Sequence, residues 1–208
     1  YCGDIGLSSS IISNRLRTNS KIINKLTFQA VGFFSLISNW ILWAPNGQNW
    51  SPRNVKKVQN NGVEFSLNHT RTVNSSRNSK SIGLSISYTL VENTVLESTL
   101  IGDQGIGKSL LFVPKHCFKY KIDYQIKEWS VIAGQGLTGR VFLDATNQSY
   151  MPFYGPVYLI VAKEVKSTKN TRLKLGLKVN NLLNEEYQVM PHRPMPGINC
   201  KIMGEIRF

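Results

Sequence analysis

Acidic residues are scarce: 12 Asp and Glu stand against 25 Lys and Arg, a formal net charge of +13 with a pI near 9.8. Such an imbalance speaks for an anionic partner, which can be nucleic acid, an anionic membrane face, or acidic segments of the same protein outside this stretch. Cysteine is scarce too. Cys2, Cys117 and Cys200 are odd in number and far apart, which excludes a disulfide framework and a paired-cysteine metal site and leaves free or incidental thiols. His69, His116 and His192 are equally scattered, so no metal site and no cofactor are expected. Long apolar runs are missing as well. The longest clean stretch is VYLIVA, Val157 to Ala162, far short of the ~20 residues of a membrane-spanning helix. That excludes helical spans but not barrel strands, whose hydrophobicity is hidden in alternation.

What is present is that alternation. The chain ends with Ile198, Cys200, Ile202, Gly204, Ile206 and Phe208 set against Asn199, Lys201, Met203, Glu205 and Arg207. A last strand with one apolar and one charged face, ending on phenylalanine, is how a membrane β-barrel closes, which places function in a bacterial outer membrane. The same period of two runs through Ile82 to Leu90, Tyr120 to Ile126, Leu173 to Val179 and Val63 to Leu67. Less regular strands are expected at about 5–15, 26–43, 129–142 and 157–165, the first interrupted by Ser8, Ser9, Ser10, Ile11 and Ile12.

Connections alternate in length. TNSKIINK, VNSSRNSK, Lys127-Glu128 and KSTKN are short, whereas WAPNGQNWSPRNVKKVQNNG (43–62), 92–114, 143–155 and 183–197 read as long loops. Short turns on one rim and long loops on the other define an up-and-down barrel rather than a soluble sandwich. Trp40, Trp43, Trp129, Tyr88 and Tyr120 are expected near strand ends, where a membrane interface places aromatics. The count is about nine to ten strands. An odd count argues for an incomplete sheet, because bacterial single-chain barrels have even numbers. The missing strands are expected upstream of Tyr1, which follows no leader-like segment.

Three segments carry a resemblance: NWILWAPNGQNWSPRNVKKVQNNGVEFSL (Asn39 to Leu67), GKSLLFVPKH (Gly107 to His116) and LKVNNLLNEEYQVMPHRPMPGINCKIMGEIRF (Leu177 to Phe208). The chain resembles the barrel of TonB-dependent outer-membrane receptors, particularly those of Bacteroidetes-like bacteria. The resemblance implies the C-terminal part, over 1–208, of a 22-stranded transmembrane barrel whose N-terminal plug domain lies outside this chain. It also implies uptake of a large scarce ligand such as an iron-siderophore or cobalamin. Energy would come from the TonB complex, which contacts only the missing N-terminal part. Phe208, Ile206 and Ile202 would form the signal read by the barrel-assembly machinery. Cys200 stands where a bulky residue is usual, and Phe33 and Ile37 fall on what should be the lumen face.

One motif competes. Gly102 to Ser109, GDQGIGKS, fits the phosphate-binding loop letter for letter, with Lys108 for the terminal phosphates, Ser109 for magnesium and Asp144 after an apolar strand. The mechanism requires a helix starting at the lysine. Pro114 leaves room for about one turn, and no crossover helix follows. A glycine-rich outer loop is the better reading.

Arg172, Lys174, Lys178, Lys201 and Arg207 belong to the polar faces of the last two strands, where a lumen or an acidic plug surface accommodates them and lipid does not. Trp43, Trp50, Arg53, Lys56 and Lys57 fall in the 43–62 loop and are candidates for contact with lipopolysaccharide or ligand. No stacking-platform motif accompanies them, so nucleic acid is not an expected partner. No nucleophile is paired with a base, so no enzyme is expected. A small complete barrel of eight or ten strands, a pore or structural protein, stays open as an alternative, and the phosphate-loop protein is a more distant one.

Overall fold

The computed structural model describes residues 1–17, 20–46, 49–75, 79–99, 101–166 and 172–207. Its elements are all strands: β1 (Cys2–Arg17), β2 (Ser20–Asn46), β3 (Asn49–Ser75), β4 (Ser79–Glu97), β5 (His116–Ile126), β6 (Trp129–Thr138), β7 (Val141–Phe142), β8 (Tyr150–Met151), β9 (Val157–Lys166), β10 (Arg172–Asn180), β11 (Gln188–Met190), β12 (Arg193–Pro194) and β13 (Asn199–Arg207). Nine of them form one sheet in the order β1-β2-β3-β4-β5-β6-β9-β10-β13. Every neighbouring pair is antiparallel. β7 pairs β8 and β11 pairs β12 as small hairpins within the connections. The nine expected strands are therefore all present. The serine-interrupted first one is paired with β2 along its whole length, because ladder bonds use the backbone and tolerate broken side-chain alternation.

The largest departure from expectation is the segment 43–62. It is not a long loop. β2 and β3 continue as a paired ribbon until Asn46 meets Asn49, with Trp43 opposite Pro52. Beyond Lys57 the ribbon has left β4 behind, so Pro52 lies where a missing N–H breaks no ladder to a third strand. Polar turn-type residues here mark a solvent-exposed hairpin rather than an irregular connection. The expected strand 129–142 also stops earlier, at Thr138, and Val141–Phe142 turns aside to pair with Tyr150–Met151. Of the aromatics expected at strand ends, Trp129 opens β6, whereas Trp40, Trp43, Tyr88 and Tyr120 lie within strands longer than the apolar pattern.

The sheet has an apolar and a polar face, as period two requires. The apolar side chains are exposed: Ile5 79 %, Phe65 42 %, Leu177 45 % and Ile202 88 %. They also drift. Following partners from Ile202 leads through Leu177, Val161, Val131, Tyr124 and Ile82 to Arg71 on β3. The apolar run of β3, Val63 to Leu67, is centred six residues away on Phe65, after six strand-to-strand steps. One residue per strand, ~3.3 Å of rise against ~4.8 Å of spacing, is the shear of strands tilted by roughly 35°. The same drift carries Arg71 and Lys80 out of the apolar band towards the short-turn rim. There Lys163 Nζ lies 5.2 Å from the Trp129 ring centre, an amphipathic pair suited to a membrane boundary.

On the polar face, glycines admit a partner side chain. The Phe33 ring lies over Gly62, its register partner, with Cζ 2.5 Å from where a Cβ would stand. Tyr158 covers Gly134 in the same way, its hydroxyl 2.6 Å from that position. Phe33 on this face is thus a cover for bare backbone rather than a misplaced apolar residue. Ile37 pairs with fully buried Val58, which packs with Val95 of β4 and with Leu110 of the folded-back 101–115 segment, and Trp40 joins them after Asn39 takes a φ of 58°. Cys2, Cys117 and Cys200 are free.

Candidate functional site

The polar face gathers the basic residues singled out from sequence. Register sets Arg172 opposite Arg207, Lys174 opposite Glu205 and Lys178 opposite Lys201, so all five share one face of β10 and β13. Two of these three rows are like-charge pairs, which repel unless acid is brought to them. Within the chain the relief is partial: Arg172 Nη1 lies 3.6 Å from Glu164, and Lys178 Nζ lies 5.3 Å from the Tyr158 ring centre. The side chain of Arg207 lies outside the described residues. Further along the face Lys121 lies 4.0 Å from Asp123, whose carboxylate occupies the space above Gly83. On the opposite face of β13, Ile202 and Ile206 are exposed, and Phe208 lies outside the described residues.

At the other rim the phosphate-loop lookalike is folded without a helix, with Gly102 at φ 74° and Gly107 at φ 78°. Its amides from Gly105 onward are already taken. Gly105 N–H donates to Asp103 Oδ1 at 2.8 Å, Ile106 to Asp103 O, Gly107 to Val95 O, Lys108 to Gly105 O and Ser109 to Asn147 Oδ1 at 2.8 Å. Leu110 N–H donates to Asn93 Oδ1 at 2.6 Å, and Asn93 is buried. A phosphate cradle needs these donors free, and none from Gly105 to Leu110 is.

The three long connections are tied to one another. Asn147 Nδ2 returns a bond to Ser109 O at 3.0 Å, so one carboxamide pairs with both backbone groups of Ser109. Asp144 orders its own loop: its carboxylate accepts from the Thr146, Gln148 and Ser149 amides and from the Thr146 and Ser149 hydroxyls. Those bonds, Ser149 first, hold its pKa far below the ordinary carboxylate range. Glu185 reaches from the 181–198 connection to accept from Gly155 N–H at 3.1 Å. Tyr154 and Tyr187 stack at 5.2 Å. Between these two connections lies a cleft of about 640 Å³ lined by Met151, Phe153, Tyr154, Glu185, Glu186, Tyr187 and Met195 among others.

An antiparallel sheet with an exposed, drifting apolar band, a polar face rich in lysine and arginine, turns on one rim and tied loops on the other is a membrane-barrel wall. A family model described as TonB dependent receptor-like, beta-barrel matches residues 16–182. The chain belongs to that family. Among solved structures, the crystal structure of BauA, the ferric preacinetobactin receptor from Acinetobacter baumannii, is similar in fold, with a TM-score of 0.50 at 10 % identity. The match covers 99 % of this chain and 43 % of that receptor, so the chain spans less than half its length. No curated protein matches by sequence.

For this receptor barrel the candidate loop contacts are relocated, not assembled. Trp43, Trp50, Arg53, Lys56 and Lys57 lie on the β2–β3 ribbon. Trp43 is exposed, and Lys57 is bridged to Glu97 at 3.6 Å. The side chains of Trp50, Arg53 and Lys56 lie outside the described residues. Asn93, Asp144, Asn147, Asn181 and Glu185 were not legible as loop organisers. The one available signal was NNLLNEEY, which holds Asn181 and Glu185.

Proposed function

We propose that the chain forms the C-terminal nine strands of a TonB-dependent receptor in a bacterial outer membrane, taking up a large scarce ligand such as an iron-siderophore or cobalamin. The observation that carries this reading is the two-faced sheet: an exposed apolar band drifting one residue per strand on one side, and rows of lysine and arginine only partly offset by acid on the other. The band meets lipid and, at the outer rim, lipopolysaccharide. The basic rows meet acidic groups of a plug domain supplied outside these residues, through which the TonB complex acts.

Strand direction supports the larger barrel over a small complete one. β1 and β13 are the two edges, and both run towards the short-turn rim. Pairing them would be parallel. Antiparallel closure takes an odd number of further strands, as it does when nine are completed to 22. In lipid the alternative is two rows of unpaired backbone groups at several kcal/mol each. Ile202 and Ile206, with Phe208 beyond them, are the face the assembly machinery would read.

The experiment is uptake by cells carrying the complete receptor, with labelled ferric siderophores and cobalamin as probes. Uptake should require an energised inner membrane. Accumulation that persists after the proton-motive force is collapsed would overturn the receptor reading in favour of a passive pore.

A further inference from the structure

In a chain that carries about two basic residues for each acidic one, the cleft between the 139–156 and 181–198 connections is an exception. Among the described residues its charged lining is Glu185 and Glu186. Glu185 is committed to the backbone, accepting from Gly155 N–H with both carboxylate oxygens at 3.1 and 3.3 Å. Glu186 is exposed beside it on the cleft wall. The remaining lining is mostly aromatic, thioether and proline, with the stacked Tyr154 and Tyr187 beside Phe153, Met151 and Met195, while the Asn184 and Gln188 carboxamides accept from the Ile198 and His192 amides. Its volume of about 640 Å³ lies within the ~300–1,000 Å³ of small-molecule sites.

We propose that this cleft binds a cationic organic group with an apolar body, a quaternary ammonium or guanidinium carried on an aromatic or aliphatic frame. Ring faces attract cations through their quadrupole, polarizable sulfur adapts to irregular apolar shapes, and the Glu186 carboxylate supplies the counter-charge. An anionic ligand finds no donor side chain with positive charge among the lining residues. The loop already holds one cation by the same means: the Arg140 guanidinium carbon lies 5.6 Å from both the Phe142 and Tyr150 ring centres. The walls are also positioned in advance, since the Thr138 and Tyr154 backbones exchange bonds at 2.8 and 3.1 Å and Asn181 holds the Glu185 backbone. Less ordering is left for the ligand to impose. The inference deepens the uptake reading by naming a ligand class for the outer rim.

The test uses the complete receptor in detergent micelles, where binding is measured without transport, so failure of uptake and failure of the cleft are separately visible. The probes are benzyltrimethylammonium and benzenesulfonate, similar in frame and opposite in charge, followed by titration calorimetry. The ammonium probe should bind saturably and the sulfonate should not. Glu186→Gln should weaken the ammonium probe roughly tenfold, Glu186→Lys should abolish it, and Tyr187→Leu should weaken it by a similar factor through loss of the ring. Thermal unfolding of the Glu186 variants should match the parent. Equal binding by the two probes, no saturable binding of the ammonium, or unchanged affinity in Glu186→Lys would each overturn the proposal.

Discussion

The Asn181 side chain pairs with the backbone of Glu185 in both directions, accepting from its N–H and donating to its carbonyl, each at 2.8 Å. Asn181 is 2 % exposed and takes a φ of 50°, a conformation asparagine tolerates better than most residues. A second bond from its Nδ2 reaches Pro196 O at 3.3 Å, so one buried carboxamide closes the connection between β10 and β13 at both ends. It thereby places Glu185 against Gly155, and through it one loop against the next.

Removing that carboxamide strands buried backbone groups. Asn181→Ala should cost roughly 2 kcal/mol in urea unfolding of the complete receptor in lipid vesicles. Asn181→Gly keeps the backbone conformation free of strain and should cost less than alanine. Equal stability of parent and alanine variant would count against the clasp.

Two glycines on β6 share the polar face and should respond oppositely to a methyl group. At Gly134 a Cβ would stand 2.6 Å from the Tyr158 hydroxyl and 2.8 Å from Tyr120 O, whereas at Gly136 the nearest atom is Lys119 Cγ at 3.7 Å. Gly134→Ala should lose about 1–3 kcal/mol and Gly136→Ala should be neutral or better. Adding Tyr158→Ala should recover only part of the Gly134→Ala loss, because the carbonyl remains.

Charge placed on the apolar face tests the membrane assignment. Ile202→Arg should destabilise the folded receptor by about 2–4 kcal/mol if that position lies near the bilayer midplane, while Lys201→Ser on the opposite face should change stability far less. Similar costs on both faces would contradict a lipid-facing band.

Asp144 should make the 139–156 loop sensitive to strong acid. Its folded pKa is held below its ordinary value of 3.8 by the bonds from Ser149 and Thr146. The stabilisation is therefore complete above that ordinary value and is lost as pH falls through the lower folded value. Amide exchange at Thr146, Gln148 and Ser149 should stay protected at pH 5 and open only in stronger acid. Asp144→Asn should expose the same amides at neutral pH and remove the acid transition.

The phosphate-loop lookalike should not bind nucleotide. With the amides of Gly105 to Leu110 already bonded, a fluorescent ATP analogue with magnesium should show no saturable binding to the complete receptor, and Lys108→Ala should change nothing. Saturable binding lost in that variant would refute the loop's assignment.

Most of the wall was legible in advance. Runs such as Leu173 to Val179 assign each residue to a face because a strand has a period of two, and Lys127-Glu128 marks a tight turn by its length alone. Residues 43–62 read as a loop for a related reason: Asn, Gly, Pro and Gln argue against a strand within a sheet, but a two-stranded ribbon extending past β4 needs only backbone pairing, and Val58 at its base is buried by Val95 and Leu110. Phe33 and Ile37 looked out of place until Gly62 and Val58 were opposite them. The basic rows were placed on one face by sequence, yet only register made Lys178 and Lys201 neighbours.

What the sequence determined by itself is what is local: the nine strands of the main sheet, their two faces and the short connections between them. Each follows from side chains that alternate along one strand and from turn residues that act within a few positions. The tertiary structure decided what depends on distant residues meeting. The one-residue drift that tilts the strands, the capture of the Gly107, Ser109 and Leu110 amides by Val95, Asn147 and Asn93, and the cleft that sets Tyr154 against Tyr187 all arise from residues distant in the chain, where the outcome is set by register and packing rather than by local preference.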